Sequence, residues 1–238
     1  MEEADGKELV ADLNLREPVP WKITDVAIAT VLVFLGFFIL LILFWLAFEV
    51  TGIEDEAVLT PWVAAVLGLL MLSAAWTFGV KRYNATWQAL GLRRPQATRS
   101  FTMPWLALLG SLLFTGLYAA MVSALGLEAL EPPPIEEDML GRGGIRALNS
   151  VIIAGWAPFA EEVFFRGFIL AALVSPLGVV RAAVVGSAVF AAAHVDPGTL
   201  VPIFVTGLLL SWLYLRSRSI WPPLIAHMAQ NLIAVSVV

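Results

Sequence analysis

The chain has 238 residues, of which 60% are apolar and only 14% charged, with a formal net charge of −5. A soluble domain carries about 25% charged residues, so an ordinary cytosolic enzyme and a disordered polypeptide are both excluded, and an acidic balance offers no basic surface for nucleic acid. The absence of cysteine removes disulfide frameworks, thiol nucleophiles and Cys-ligated zinc.

Residues 1–22 read as a polar N-terminal tail. It opens acidic and lacks the short apolar core and cleavage site of a signal peptide. Residues 23–238 read as a transmembrane domain. A bilayer-spanning helix needs about 20 mostly apolar residues, and seven segments are candidates: Val26–Phe48, Thr60–Val80, Phe101–Leu127, Ala147–Val174, Ala182–Val195, Thr199–Leu215 and Ile220–Val238. The expected fold is therefore an all-α, polytopic transmembrane bundle of about seven helices. Asp196, Pro197 and Gly198 are read as a turn separating the short fifth segment from the sixth. No internal repeat is visible, which argues against a secondary transporter.

Basic residues are retained on the cytoplasmic side. An N-terminus placed inside puts Lys7, Arg16, Lys22, Lys81, Arg82, Arg93, Arg94, Arg99, Arg181, Arg216 and Arg218 there, and only Arg142 and Arg146 outside. The reading is a multi-pass protein of a bacterial cell membrane with a cytoplasmic N-terminus. The outer connector Glu128–Gly144 contains EPPPIEED and reads as an extended, hydrated segment, either a plain link or a lid.

Ionisable side chains inside hydrocarbon are costly and normally face a partner or a wet cavity. Five are expected here: Glu161, Glu162 and Arg166 in the fourth segment, His194 at the end of the fifth, and His227 in the seventh, with the polar Asn231 one turn beyond. Glu162 and Arg166 are four apart, on one helix face within reach of an ion pair. Glu161 is rotated about 100° away and lacks an intrahelical counter-charge. Pro158 removes a backbone donor, expected at the carbonyl of Ala154, and should kink the helix. Phe190 lies one turn below His194, and His227 and Asn231 share a face. Helix rise brings Glu161, His194, His227 and Asn231 to overlapping depths, placing a site between the fourth, fifth and seventh helices.

In order along the chain, Glu-Glu-x-x-x-Arg (Glu161, Glu162, Arg166), Phe-x-x-x-His (Phe190, His194) and His-x-x-x-Asn (His227, Asn231) resemble the motifs of the CPBP family, the CAAX protease and Abi group of intramembrane proteases. The resemblance puts the family core at about 101–236 and implies endopeptidase cleavage of a membrane-associated peptide or protein, lipid-modified in the CAAX case, by activated water. It implies that Glu161 activates the water with help from His194, that His227 and Asn231 stabilise the oxyanion, and that Glu162 with Arg166 tunes the site. Phe190 joins Arg166 as structural support. Two histidines and a glutamate are also a catalytic zinc set, so Zn²⁺ on Glu161, His194 and His227 stands beside a metal-free reading. A non-catalytic immunity or scaffold protein and a proton-coupled carrier are the alternative functions.

Overall fold

A computed structural model describes residues 19–51, 56–96, 101–133 and 140–237. Most of the N-terminal tail, Lys7, Arg16, Arg99, the centre of the EPPPIEED connector and Val238 lie outside the described residues. The described chain is helical, with no strand among those residues. Seven helices follow in order: α1 (Ile23–Thr51), α2 (Glu56–Ala75, prolonged by a π-helical turn Trp76–Lys81), α3 (Met103–Ala124), α4, α5 (Val179–Ala192), α6 (Pro197–Ser217) and α7 (Trp221–Ser236). Helix α4 is a composite: Gly143–Val151, a π turn Ile152–Trp156, Ala157–Glu161, a second π stretch Glu162–Leu170, and Ala171–Leu177.

Among the described residues four segments are long and apolar enough to cross a membrane: Ile23–Val50, Pro61–Lys81, Met103–Ala124 and Pro197–Ser217. They carry large exposed apolar side chains such as Phe38, Ile42, Trp45, Trp62, Leu113 and Leu117, the surface a lipid-facing helix presents. Helices α5 and α7 are shorter. Helix α4 interrupts its apolar run with the charges of the site.

The core gathers where α4 meets α1, α2, α5 and the end of α6. Phe164, Phe165, Phe168, Ile169 and Leu170 of the second π stretch are buried together with Trp21, Leu90, Phe190 and Ile220. The Trp21 indole N–H donates to the Phe168 carbonyl at 3.0 Å and its ring stacks on that of Phe168. Gly167 permits the closest approach: a Cβ there would stand 2.3 Å from the carbonyl oxygen of Leu90. The short turn Trp87–Leu90 is thereby packed directly on the main chain of α4.

One boundary departs from the sequence reading. The turn between the fifth and sixth helices ends at Asp196, and Pro197 and Gly198 already belong to α6. Asp196 caps that helix, its carboxylate accepting from the Thr199 N–H at 2.9 Å. Proline at the first helical position loses a donor that would have no partner there, which is why Pro-Gly starts a helix here instead of breaking one.

Candidate active site

The residues of the three motifs lie on α4, on α5 and the turn that follows it, and on α7. On α4, Glu162 and Arg166 form the anticipated pair, with Arg166 Nη1 donating to Glu162 Oε1 at 2.8 Å. Both side chains are buried, at 0% and 1% exposure. Unpaired charges at such burial would cost several kcal/mol. The same Glu162 oxygen also accepts from His227 Nδ1 at 2.8 Å, a contact bridging 65 residues that spacing alone did not reveal. A carboxylate only accepts, so Nδ1 of His227 carries the proton and its Nε2 is turned outward.

That Nε2 faces Glu161 Oε2 at 3.7 Å. Glu161 is 20% exposed, in contrast to its neighbour Glu162, and its Oε2 is buried without a hydrogen-bond partner among the described residues. The two adjacent glutamates therefore differ in kind: Glu162 is fully buried and holds a cation and an imidazole on its Oε1, whereas Glu161 is partly exposed and has only the imidazole nitrogen of His227 beside its Oε2.

Phe190 is the central aromatic contact. Its ring lies edge to face with His194 at 4.9 Å and with His227 at 5.8 Å, and the Arg166 guanidinium carbon stands 4.1 Å above it. Such cation–π and edge contacts fix ring orientation while supplying an apolar wall. His194 Nδ1 lies 2.9 Å from the Phe190 carbonyl. A carbonyl cannot donate, so Nδ1 is the protonated nitrogen and Nε2 is left free. His194 is exposed at the end of α5 while Phe190 is buried, so the site is deep at Arg166 and opens toward His194.

Asn231 has a partner that its spacing alone did not reveal. Its amide Nδ2 donates to the backbone carbonyl of Ile153 at 3.0 Å, in the first π turn of α4. The loss caused by Pro158 also moves by one residue: the Ala157 N–H bonds to the Ile152 carbonyl, and in that register position 158 faces Ile153, not Ala154.

The zinc reading fits these side chains poorly. Among the described residues no three His, Asp or Glu side chains converge as a metal set. Glu161 and His227 face one another, but among the described residues no third His, Asp or Glu side chain joins them.

Residues 144–233, which include every motif residue, match the family model of the type II CAAX prenyl endopeptidases, Rce1-like. The chain is also similar to the "Putative membrane peptidase YdiL" of Bacillus subtilis (strain 168), with 32% identity over 78 residues. That similarity covers 33% of this chain and 32% of the relative, so the chain spans about a third of the length of the curated relative it matches. No solved structure matches. The chain is thus a helical, multi-pass membrane protein whose residues 144–233 are similar to the Rce1-like domain of the type II CAAX prenyl endopeptidases.

Proposed function

We propose that the protein is an intramembrane endopeptidase that hydrolyses a peptide bond of a membrane-associated substrate, of CAAX or peptide-maturation type. The observation that carries this reading is the pairing of an unsatisfied, partly exposed Glu161 carboxylate with the outward Nε2 of His227, at 3.7 Å. General base catalysis needs a carboxylate lone pair free to take a proton, held where solvent is scarce.

In the proposed reaction Glu161 takes a proton from a water held with the help of His194 Nε2. The hydroxide oxygen bonds to the scissile carbonyl carbon, and the carbonyl π electrons move to its oxygen. His227, kept in orientation by Glu162, donates from Nε2 in its protonated form to that oxyanion. Collapse of the intermediate expels the amine, which takes the proton from Glu161, and the carboxylic acid so formed passes its own proton to the amine, leaving a carboxylate and an ammonium group. Glu162 and Arg166 stay paired throughout and act by orienting His227. The match to the family model and the similarity to a membrane peptidase support the reaction class. No step passes through a metal.

The excess of basic residues in the loops assigned to the cytoplasm supports a cytoplasmic N-terminus, with the open, His194 side of the site toward the outer face of a bacterial membrane. The test is cleavage of a membrane peptide by purified protein in detergent or liposomes. Wild type should cleave, and Glu161→Gln and His194→Ala should not. Unchanged cleavage by either variant would reject the mechanism, and proton or solute movement without cleavage would favour the carrier.

A further inference from the structure

The first π turn of α4 creates a problem that α7 solves. In an α-helix the N–H of residue i bonds to the carbonyl four back; in a π turn it bonds five back. Ala157 follows the second rule, bonding to Ile152. Continued one step, this register assigns the carbonyl of Ile153 to the N–H of residue 158. Residue 158 is proline and has none. A backbone carbonyl without a donor inside a membrane protein is costly because no water is at hand to repair it. The donor that reaches Ile153 comes from another helix: the amide of Asn231, at 3.0 Å.

We infer that Asn231 is a positioning residue, supplying to the Ile153 carbonyl the proton that Pro158 lacks and so holding the π turn that aims Glu161 at His227. This rests on the protease reading proposed above. Asn231 and His227 are one turn apart on α7, whereas Ile153 and Glu161 lie two turns apart on α4. The tie Asn231 to Ile153 and the contact of His227 with Glu161 and Glu162 therefore fix the two helices against each other at two levels. With both in place, rotation or sliding of α4 against α7 must break one of these contacts before Glu161 leaves Nε2 of His227. The inference changes the expected part of Asn231, whose amide is directed at main chain in this structure.

The inference separates from a direct oxyanion part by one double-mutant cycle. Alanine at 158 restores a backbone N–H, and that proton serves Ile153 if the π register persists; if the turn relaxes to α register, the Ala157 N–H serves it instead. In either case the Asn231 amide becomes redundant. Cleavage of a membrane peptide and the unfolding temperature in detergent are measured for wild type, Asn231→Ala, Pro158→Ala and the double variant. We expect Asn231→Ala to lower kcat at least tenfold with KM within twofold, and to lower Tm by several degrees. In the Pro158→Ala background the same substitution should cost no more than about threefold in kcat and little in Tm. An equal cost of Asn231→Ala in both backgrounds, in Tm and in kcat, overturns the inference. If Pro158→Ala is itself inactive, the Tm cycle decides: additive losses overturn it and non-additive losses support it. Should wild type cleave nothing, the protease reading fails, while the Tm cycle still tests the tie between Asn231 and Ile153.

Discussion

Glu162 accepts a hydrogen bond from His227 at 2.8 Å on the same oxygen that receives Arg166. One carboxylate oxygen thus neutralises a buried cation and fixes the tautomer of an imidazole, as the outer-lying carboxylates of histidine sites commonly do. Glu162→Gln replaces that oxygen's charge with a neutral amide and leaves Arg166 buried without its hydrogen-bonded counter-ion. Breaking one side of a buried pair costs about 3–5 kcal/mol. We expect a Tm lower by more than 5 °C together with lost cleavage, measured on the same detergent-purified sample. A Tm equal to wild type would mean that Arg166 has another counter-charge.

Glu161→Gln should behave oppositely on stability. Its side chain is partly exposed and its Oε2 has no hydrogen-bond partner among the described residues, so the amide displaces no partner. The expected result is a Tm within about 2 °C of wild type and a kcat lower by about 10²–10⁴-fold, the range for losing a positioned base. Single-turnover cleavage with the two glutamine variants side by side checks the contrast.

Val195 occupies the left-handed region at φ 60°, directly after His194. A β-branched residue is strained there by about 1–2 kcal/mol, and strain of this kind gathers at functional turns. Val195→Gly should raise stability by about 1 kcal/mol after the entropic cost of glycine, and lower kcat severalfold because the His194 backbone gains freedom. Thermal unfolding and cleavage rates check both signs; a lower Tm would show that this turn stores no strain.

At the opposite end of the bundle the Tyr83 hydroxyl donates to Asp25. That hydrogen bond, helped by burial, holds the Tyr83 phenol above its ordinary value. A folded-state value above the unfolded one means stability that is complete below the unfolded value and lost as pH rises through the folded one. In an alkaline titration followed by tyrosinate absorbance, Tyr83 should ionise above the ordinary tyrosine value. Tyr83→Phe should abolish that late step and flatten the loss of stability above about pH 10.

Removal of divalent metal by a chelator, followed by Zn²⁺ replenishment, should leave kcat within twofold. The reasoning is that among the described residues Glu161, His194 and His227 do not converge as a trio of donors. A loss on stripping that zinc reverses would show that the trio rearranges around an ion.

Sequence periodicity and composition made seven helices readable, and i, i+4 spacing gave the Glu162–Arg166 pair and the stacking of Phe190 below His194, because both are local to one helix. Three things were not readable. The Glu162–His227 bond depends on how α4 and α7 rotate about their own axes, which hydrophobicity leaves open when lipid and core are both apolar. The π turns shift register by one residue, which moves the orphaned carbonyl from Ala154 to Ile153. Only with that shift does the amide of Asn231 acquire a main-chain partner. Pro197 and Gly198, strong turn formers in isolation, were absorbed into α6 because Asp196 supplied a cap.

At Gly198 a Cβ would lie 2.1 Å from the carbonyl oxygen of Glu131. The connector that follows α3 therefore crosses the first turn of α6 at a distance only a hydrogen atom allows, four residues after His194. The rim of the opening is one mechanical unit built from two distant pieces of chain. Any larger residue at 198 must push the connector off the first turn of α6, and so shifts the main chain near His194 from a position outside the three motifs.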